Sequence, residues 1–163
     1  SKTGLVFPSL TVDETINDES QYNFNHEVLD CPAELSNENI DRVNFLHTND
    51  VFDLPDKHRP DCHRLKAHSY QSVYGRMYHG LPAPTLSTGF LSPGRGRYTH
   101  PFKRRTLTLR EGARIQGFPL SFNWCPSNST IGKTLIARLI GDAVPPNLGQ
   151  TACLMALSKY HDQ

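Results

Sequence analysis

Residues Arg105 to Pro119 read RTLTLREGARIQGFP, and this stretch carries the clearest helix signal in the chain. Thr108 followed by Glu111 is a capping box, in which each side chain pairs with the other residue's backbone N–H. The helix predicted from that start runs from about Leu109 to Gln116. Gly117 is placed to end it in the left-handed conformation, and Pro119 shortly beyond prevents continuation.

Working outward toward the C-terminus, Ile131, Leu135, Ile136, Leu139 and Ile140 recur at helical intervals and predict a second helix over 131–140, stopping at Gly141. A third helix follows Asp142-Ala143-Val144-Pro145-Pro146, with Pro146 in its first turn. Its expected buried face is Leu148, Ala152, Cys153, Ala156, Leu157 and Tyr160, part of which could face another domain. IGKT at 131–134 looks like the end of a phosphate-binding loop, but that motif needs a glycine where Ser127 stands, which argues against nucleotide hydrolysis.

Working toward the N-terminus, 72–101 reads SVYGRMYHGLPAPTLSTGFLSPGRGRYTHP, with glycine or proline every few residues and β-formers between them. Short strands joined by tight turns are expected, with Pro93-Gly94 as one turn. Gly75, Gly89, Gly94 and Gly96 allow a positive φ or a close backbone approach to a ligand, although turns alone also explain them. Earlier still, the first 60 residues predict little regular structure apart from LSNENIDRVNFL. There Ser36 can cap a short satellite helix whose apolar face is Ile40, Val43 and Phe45 or Leu46.

Twelve prolines, eleven glycines and 37% apolar residues in 163 predict one loop-rich unit with a modest core. No apolar run approaches the ~18 residues of a membrane span, and SKTGLVFPSL has no leader pattern, so a cytoplasmic protein is expected. Cys31, Cys62, Cys125 and Cys153 stand alone and read as reduced thiols. His58, Cys62, His63 and His68 form a poor zinc spacing, and polar loop residues are the better reading.

The near-neutral net charge of +1 hides a segregation. Leu10–Asp56 carries twelve acids against Arg42 alone, whereas Lys57–Arg114 carries twelve bases against Asp61 and Glu111. A basic stretch laced with Tyr70, Tyr74, Tyr78, Phe90 and Tyr98 suits contact with phosphate, sugar and base, and equally suits a solvated face.

Three segments, taken together, resemble the DNA cytosine-C5 methyltransferase family. YGRMYHGLPAPTLSTGF with GRGRYTHP is similar to its target-recognition region, RTLTLREGARIQGFP to its ninth sequence block, and IGDAVPPNLG (Ile140–Gly149) to its tenth. Their order and spacing match as well, and weaker similarity reaches LTVDETI and LSNENIDRV. The resemblance implies a two-lobed enzyme that flips cytosine out of double-stranded DNA and methylates C5 using S-adenosylmethionine. A Pro-Cys thiolate attacks C6 and a glutamate assists at N3 in that mechanism. Here the cysteines sit in DCP, DCH, WCP and ACL, none of them Pro-Cys followed by Gln or Asn. The cofactor glycine loop, the Glu-Asn-Val block and the arginine-rich block are likewise not found, so the catalytic lobe is expected to be supplied in cis or as a separate subunit.

The resemblance implies an α+β class. An irregular, small β-containing recognition domain is expected over 1–124, ninth block included, with a helical segment over 125–163 that packs on the cofactor-binding lobe. Two or three C-terminal helices are expected in all. Thr85 and Leu86 are implied near the target cytosine, with Thr85 restraining the phosphate backbone. Arg76, Arg95, Arg97 and Arg105 are implied as DNA contacts, either bidentate to guanine or paired to phosphate. Arg110 and Glu111 are implied to be structural. Asp142, where the family usually has Asn, is implied to close the cofactor pocket with Ala143 and Val144. The competing reading is a stand-alone DNA-binding specificity module without catalysis; a Pro-Cys-Gln reading frame in neighbouring coding sequence would favour the enzyme.

Overall fold

The computed structural model describes residues 11–16, 27–64, 72–119, 121–124 and 131–161. The expectations that fall on Leu10, Asp18, Glu19, Lys66, His68, Tyr70, Cys125, Ser127 and the side chain of Tyr160 lie outside them.

The hub is α5 (Leu109–Ile115), against which α1 (Val12–Ile16), α2 (Glu27–Asp30) and α6 (Lys133–Asp142) pack. Its capping box forms as predicted: Glu111 N–H donates to Thr108 Oγ1 at 3.2 Å and Thr108 N–H to Glu111 Oε2 at 2.8 Å. Gln116 is the C-cap rather than the last helical residue, and Gly117 follows at φ 77°. The same cap chemistry starts α1. Thr11 N–H donates to Glu14 Oε2 at 2.8 Å, and Glu14 N–H to Thr11 Oγ1 at 3.4 Å. That Thr-x-x-Glu lay in a segment where little regular structure is expected.

One cluster forms the core, joining Val12, Met77, Phe90, Leu107, Leu109 and Ile140 among others. α6 supplies Ile136, Ala137 and Ile140, while Leu135 and Leu139 of the same predicted stripe are about half exposed. The helix runs through Gly141 instead of stopping there. A Cβ at Gly141 would lie 2.5 Å from Thr88 Cα and N, so this glycine permits a close backbone crossing rather than a stop. α6 thus packs into the core that residues up to Trp124 build, although all of 125–163 is expected to pack on another lobe.

α3 (Asn37–Thr48) buries Val43 and Leu46, with Leu54 also buried, outside the main cluster, as a satellite helix should. Ile40 is 43% exposed and the Ser36 side chain makes no cap bond. The short helix α4 (Asp61–Arg64) follows a 3-10 turn at Asp56–His58.

Between 72 and 108 the described residues form no strand. Two isolated bridges, Arg76 with Thr99 and Thr99 with Thr106, stand where short strands are expected. Pro101, two residues beyond Thr99, has no N–H with which to extend the pairing. The expected turn at Pro93-Gly94 is a 3-10 turn over Pro93–Arg95.

α7 (Pro146–His161) does not bury its expected face against the described residues. Leu148 and Leu157 are about 60% exposed, and Ala152, Cys153 and Ala156 are exposed too. Leu154 and Met155, outside the expected face, are exposed as well, so apolar residues encircle the helix instead of forming one stripe. Among the described residues no helix is long and apolar enough to cross a membrane.

Candidate functional site

Where α5, α6 and α7 meet the segment 82–86, a cleft of about 500 Å3 opens. That volume falls within the ~300–1,000 Å3 of small-molecule sites. Its walls bring together Thr85 and Leu86 with Gln116, Gly141 and Ala143, so residues from all three motif segments share one surface. Thr85 is exposed at this cleft, whereas Leu86 is only 4% exposed and belongs to the core cluster. Ala143 is half-buried in the wall; Asp142 and Val144 are exposed beside it and do not line it.

Gln116, which no sequence signal singled out, ties the cleft together. Its Nε2 donates to the carbonyls of Ile140 at 2.8 Å and Ala143 at 3.2 Å. Tyr98 was expected among aromatics facing nucleic acid, yet it is 3% exposed, and Phe90 is fully buried. Tyr78, 37% exposed, stacks on Phe52 at 4.5 Å. No spacing rule predicts these partners, because they are remote in sequence.

The four arginines implied as DNA contacts separate into two groups. Arg76 is 8% exposed; its Nε donates to the Pro101 carbonyl at 2.7 Å and its Nη1 to Asp50 Oδ1 at 2.8 Å. Arg97 donates to the Phe52 carbonyl at 2.8 Å, pairs with Asp53 and lies over the Tyr78 ring. Arg105 grips Glu111 through two bonds of 2.7 and 2.8 Å. Each of these three guanidiniums is bonded within the fold. Arg95 is exposed and among the described residues makes no ion pair; Lys103 and Arg104 are exposed nearby in sequence, with Arg104 Nη1 donating to Thr48 Oγ1 of α3 at 3.0 Å. The acidic N-terminal segment therefore neutralises part of the basic one: Asp50 meets Arg76, Asp53 meets Arg97 and Asp30 meets Arg110.

Glu111 has the strongest electrostatic setting of the described residues. Burial by itself would raise its pKa, but the Arg105 guanidinium, His100 and the Thr108 N–H more than offset this and hold the carboxyl well below the usual range. His100, 2% exposed, faces Glu111 Oε1 at 3.4 Å through Nε2. Its Nδ1 accepts the N–H groups of Phe102 and Lys103, both at 3.0 Å, so the Nε2–H tautomer is set and the 102–104 turn is pinned. The structural role implied for Glu111 and the capping box matches this geometry. His58 lies on the Phe45 ring at 4.0 Å and His63 against Tyr74 at 5.6 Å; among the described residues no group of His, Cys, Asp and Glu gathers for a metal.

Residues 9–154 match the C-5 cytosine-specific DNA methylase family. Type II methyltransferase M1.BsuMI of Bacillus subtilis is 44% identical over 135 residues, which is 83% of this chain and 31% of that protein. Type II methylase M.HgiDII of Herpetosiphon aurantiacus is 41% identical over 99 residues, 60% of this chain and 28% of its own length. DNA (cytosine-5)-methyltransferase 3 of Arabidopsis thaliana is 35% identical over 118 residues, 71% of this chain and 8% of its own length. The chain belongs to the C-5 cytosine-specific DNA methylase family, and it spans under a third of the length of these relatives.

Proposed function

We propose that these residues are the DNA-recognition and C-terminal portion of a DNA cytosine-C5 methyltransferase. In this reading they hold double-stranded DNA and complete the cleft for the flipped cytosine, while a catalytic lobe outside these residues, in cis or as a separate subunit, brings the thiolate. The observation that carries it is the single cleft joining Thr85 to Gln116 and Ala143. A pocket built jointly by the recognition, ninth and tenth segments is what a flipped base needs, since the base must leave its stack and be gripped from several sides.

Thr85 takes the restraining contact to the phosphate backbone, because it is the exposed member of the Thr85-Leu86 pair. Arg95, Lys103 and Arg104 supply phosphate neutralisation, with Arg76, Arg97 and Arg105 shaping the surface beneath. We assign residues 1–124 to an α+β recognition lobe, for which the isolated bridges at Arg76, Thr99 and Thr106 are the strand-like pairing among the described residues.

S-adenosylmethionine, when bound, supplies an electrophilic methyl group. Asp142 and Val144 fit one wall of its site: an exposed carboxylate next to an apolar side chain 67% exposed can accept a hydrogen bond and cover apolar surface. The exposed apolar girdle of α7 packs on the lobe that forms the other walls.

The test mixes this chain with the cofactor-binding lobe of a relative and follows labelled methyl transfer to duplex cytosine. Transfer by the mixture and none by this chain alone is the expected result, since no positioned nucleophile stands in the cleft. Turnover by the chain alone, or no gain on mixing despite complex formation, overturns the reading.

A further inference from the structure

Thr85 has an exposed side chain but a fixed backbone, and the fixing atom comes from thirteen residues away. The Tyr98 hydroxyl donates to the Thr85 carbonyl at 2.9 Å and accepts the Ser87 N–H at 3.0 Å. One hydroxyl therefore satisfies polar groups on both sides of Leu86, whose own side chain is sunk in the core at 4% exposure. The three consecutive residues 85–87 are held at three points.

The hydroxyl can do this only because its ring is placed by the core. The ring is 3% exposed and meets Phe90 edge to face, with centroids 6.5 Å apart. A Cβ at Gly96 would come within 2.7 Å of that ring, and a Cβ at Gly112 within 2.5 Å of the Phe90 ring. Two absent side chains thus let the stack settle onto α5. The adjoining Thr88 backbone meets Gly141 of α6, so α5 and α6, two of the three helices that wall the cleft, both bear on this segment.

We propose that Tyr98 is a positioning residue for target-base recognition, a latch whose hydroxyl sets the backbone of Thr85–Ser87 so that Thr85 meets the DNA strand beside the flipped cytosine. The inference rests on the reading of Thr85 as the residue that restrains that strand. Preorganisation of this kind acts on the flipped complex more than on initial capture of the duplex, because phosphate contacts made elsewhere supply most of the latter.

The experiment uses Tyr98→Phe, which keeps the ring and removes the latch. On this chain, Ser87 amide exchange should accelerate about fivefold to tenfold, the size expected when one net hydrogen bond is lost. In the complete enzyme, kcat should fall by about tenfold while KM for the duplex changes less than about twofold. A 2-aminopurine at the target position should lose fluorescence in step with kcat, because it reports an unstacked base. Ser87→Ala, which keeps the N–H that Tyr98 accepts, should leave the exchange rates of its neighbours unchanged. Unchanged Ser87 exchange in Tyr98→Phe overturns the latch. Faster exchange with wild-type kcat and wild-type aminopurine signal overturns its role in positioning. Absence of both signals in the unmodified complete enzyme overturns instead the underlying reading of Thr85.

Discussion

Gln116 and Ile140 are joined by a hydrogen bond of 2.8 Å from the side-chain amide to the main-chain carbonyl, and the same amide reaches the Ala143 carbonyl at 3.2 Å. A side chain just beyond α5 thereby closes the end of α6, adding to the Ala143 N–H that the Ile140 carbonyl also accepts at 3.3 Å. The bond is buried and lies in the cleft wall, so stability and site geometry depend on it together.

Gln116→Leu keeps the bulk and removes the donor. It should lower unfolding free energy by about 0.5–1.5 kcal/mol, the net worth of a hydrogen bond, because the Ile140 carbonyl keeps the Ala143 N–H. A urea titration reads this directly; an unchanged midpoint means the carbonyls find other donors.

Gly112→Ala and Gly141→Ala should both destabilise, by about 1–3 kcal/mol or more, because each new methyl overpacks a filled space. They differ in rescue. The Gly112 methyl would strike the Phe90 ring, so adding Phe90→Leu should recover part of the loss. The Gly141 methyl would strike Thr88 backbone, so no side-chain change should relieve it. Rescue of both, or of neither, in thermal melts would show that the close approaches are not as described.

Acid should weaken the fold through Glu111. Its folded pKa lies below the ordinary carboxylate value of 4.5, so its contribution is fully present above that value and is lost as pH falls through the folded one. Glu111→Gln should cost about 3 kcal/mol near neutrality, since Arg105 is left without its carboxylate. The gap between the two proteins should narrow steadily below pH 4.5. A gap independent of pH would remove the ionised carboxylate from the account.

The arginines should separate by assay. Arg95→Gln should leave the melting temperature unchanged, weaken duplex binding and reduce the salt slope by about 1, the signature of one phosphate contact. Arg76→Gln should lose about 1–3 kcal/mol of stability, because the buried Pro101 carbonyl loses its donor. Equal effects of the two on folding and on binding would contradict the division seen in the structure.

Much of the α-helical framework was legible because its causes are local. The Thr108–Glu111 box, the stop at Gly117 and the proline at the start of α7 each act within a few residues, so a one-dimensional reading contains all their partners. The Thr11–Glu14 box was equally readable, but its acidic, asparagine-rich surroundings masked it. The cleft was legible only as three motif segments with no stated distance between them.

What the residues settled alone is therefore where α5 starts and ends to within a residue, that a helix follows near 131–140, and that the chain belongs to the methylase family. Tertiary structure decided which charges remain available. Arg76 meets Asp50 across 26 positions, Arg97 meets Asp53 across 44 and Arg110 meets Asp30 across 80. It also decided that Tyr98 faces inward, that Gly141 continues its helix and that α7 is left uncovered by the described residues. Charge and hydropathy along a chain count groups without pairing them, whereas burial and neutralisation depend on which groups the folded backbone brings within a few ångströms.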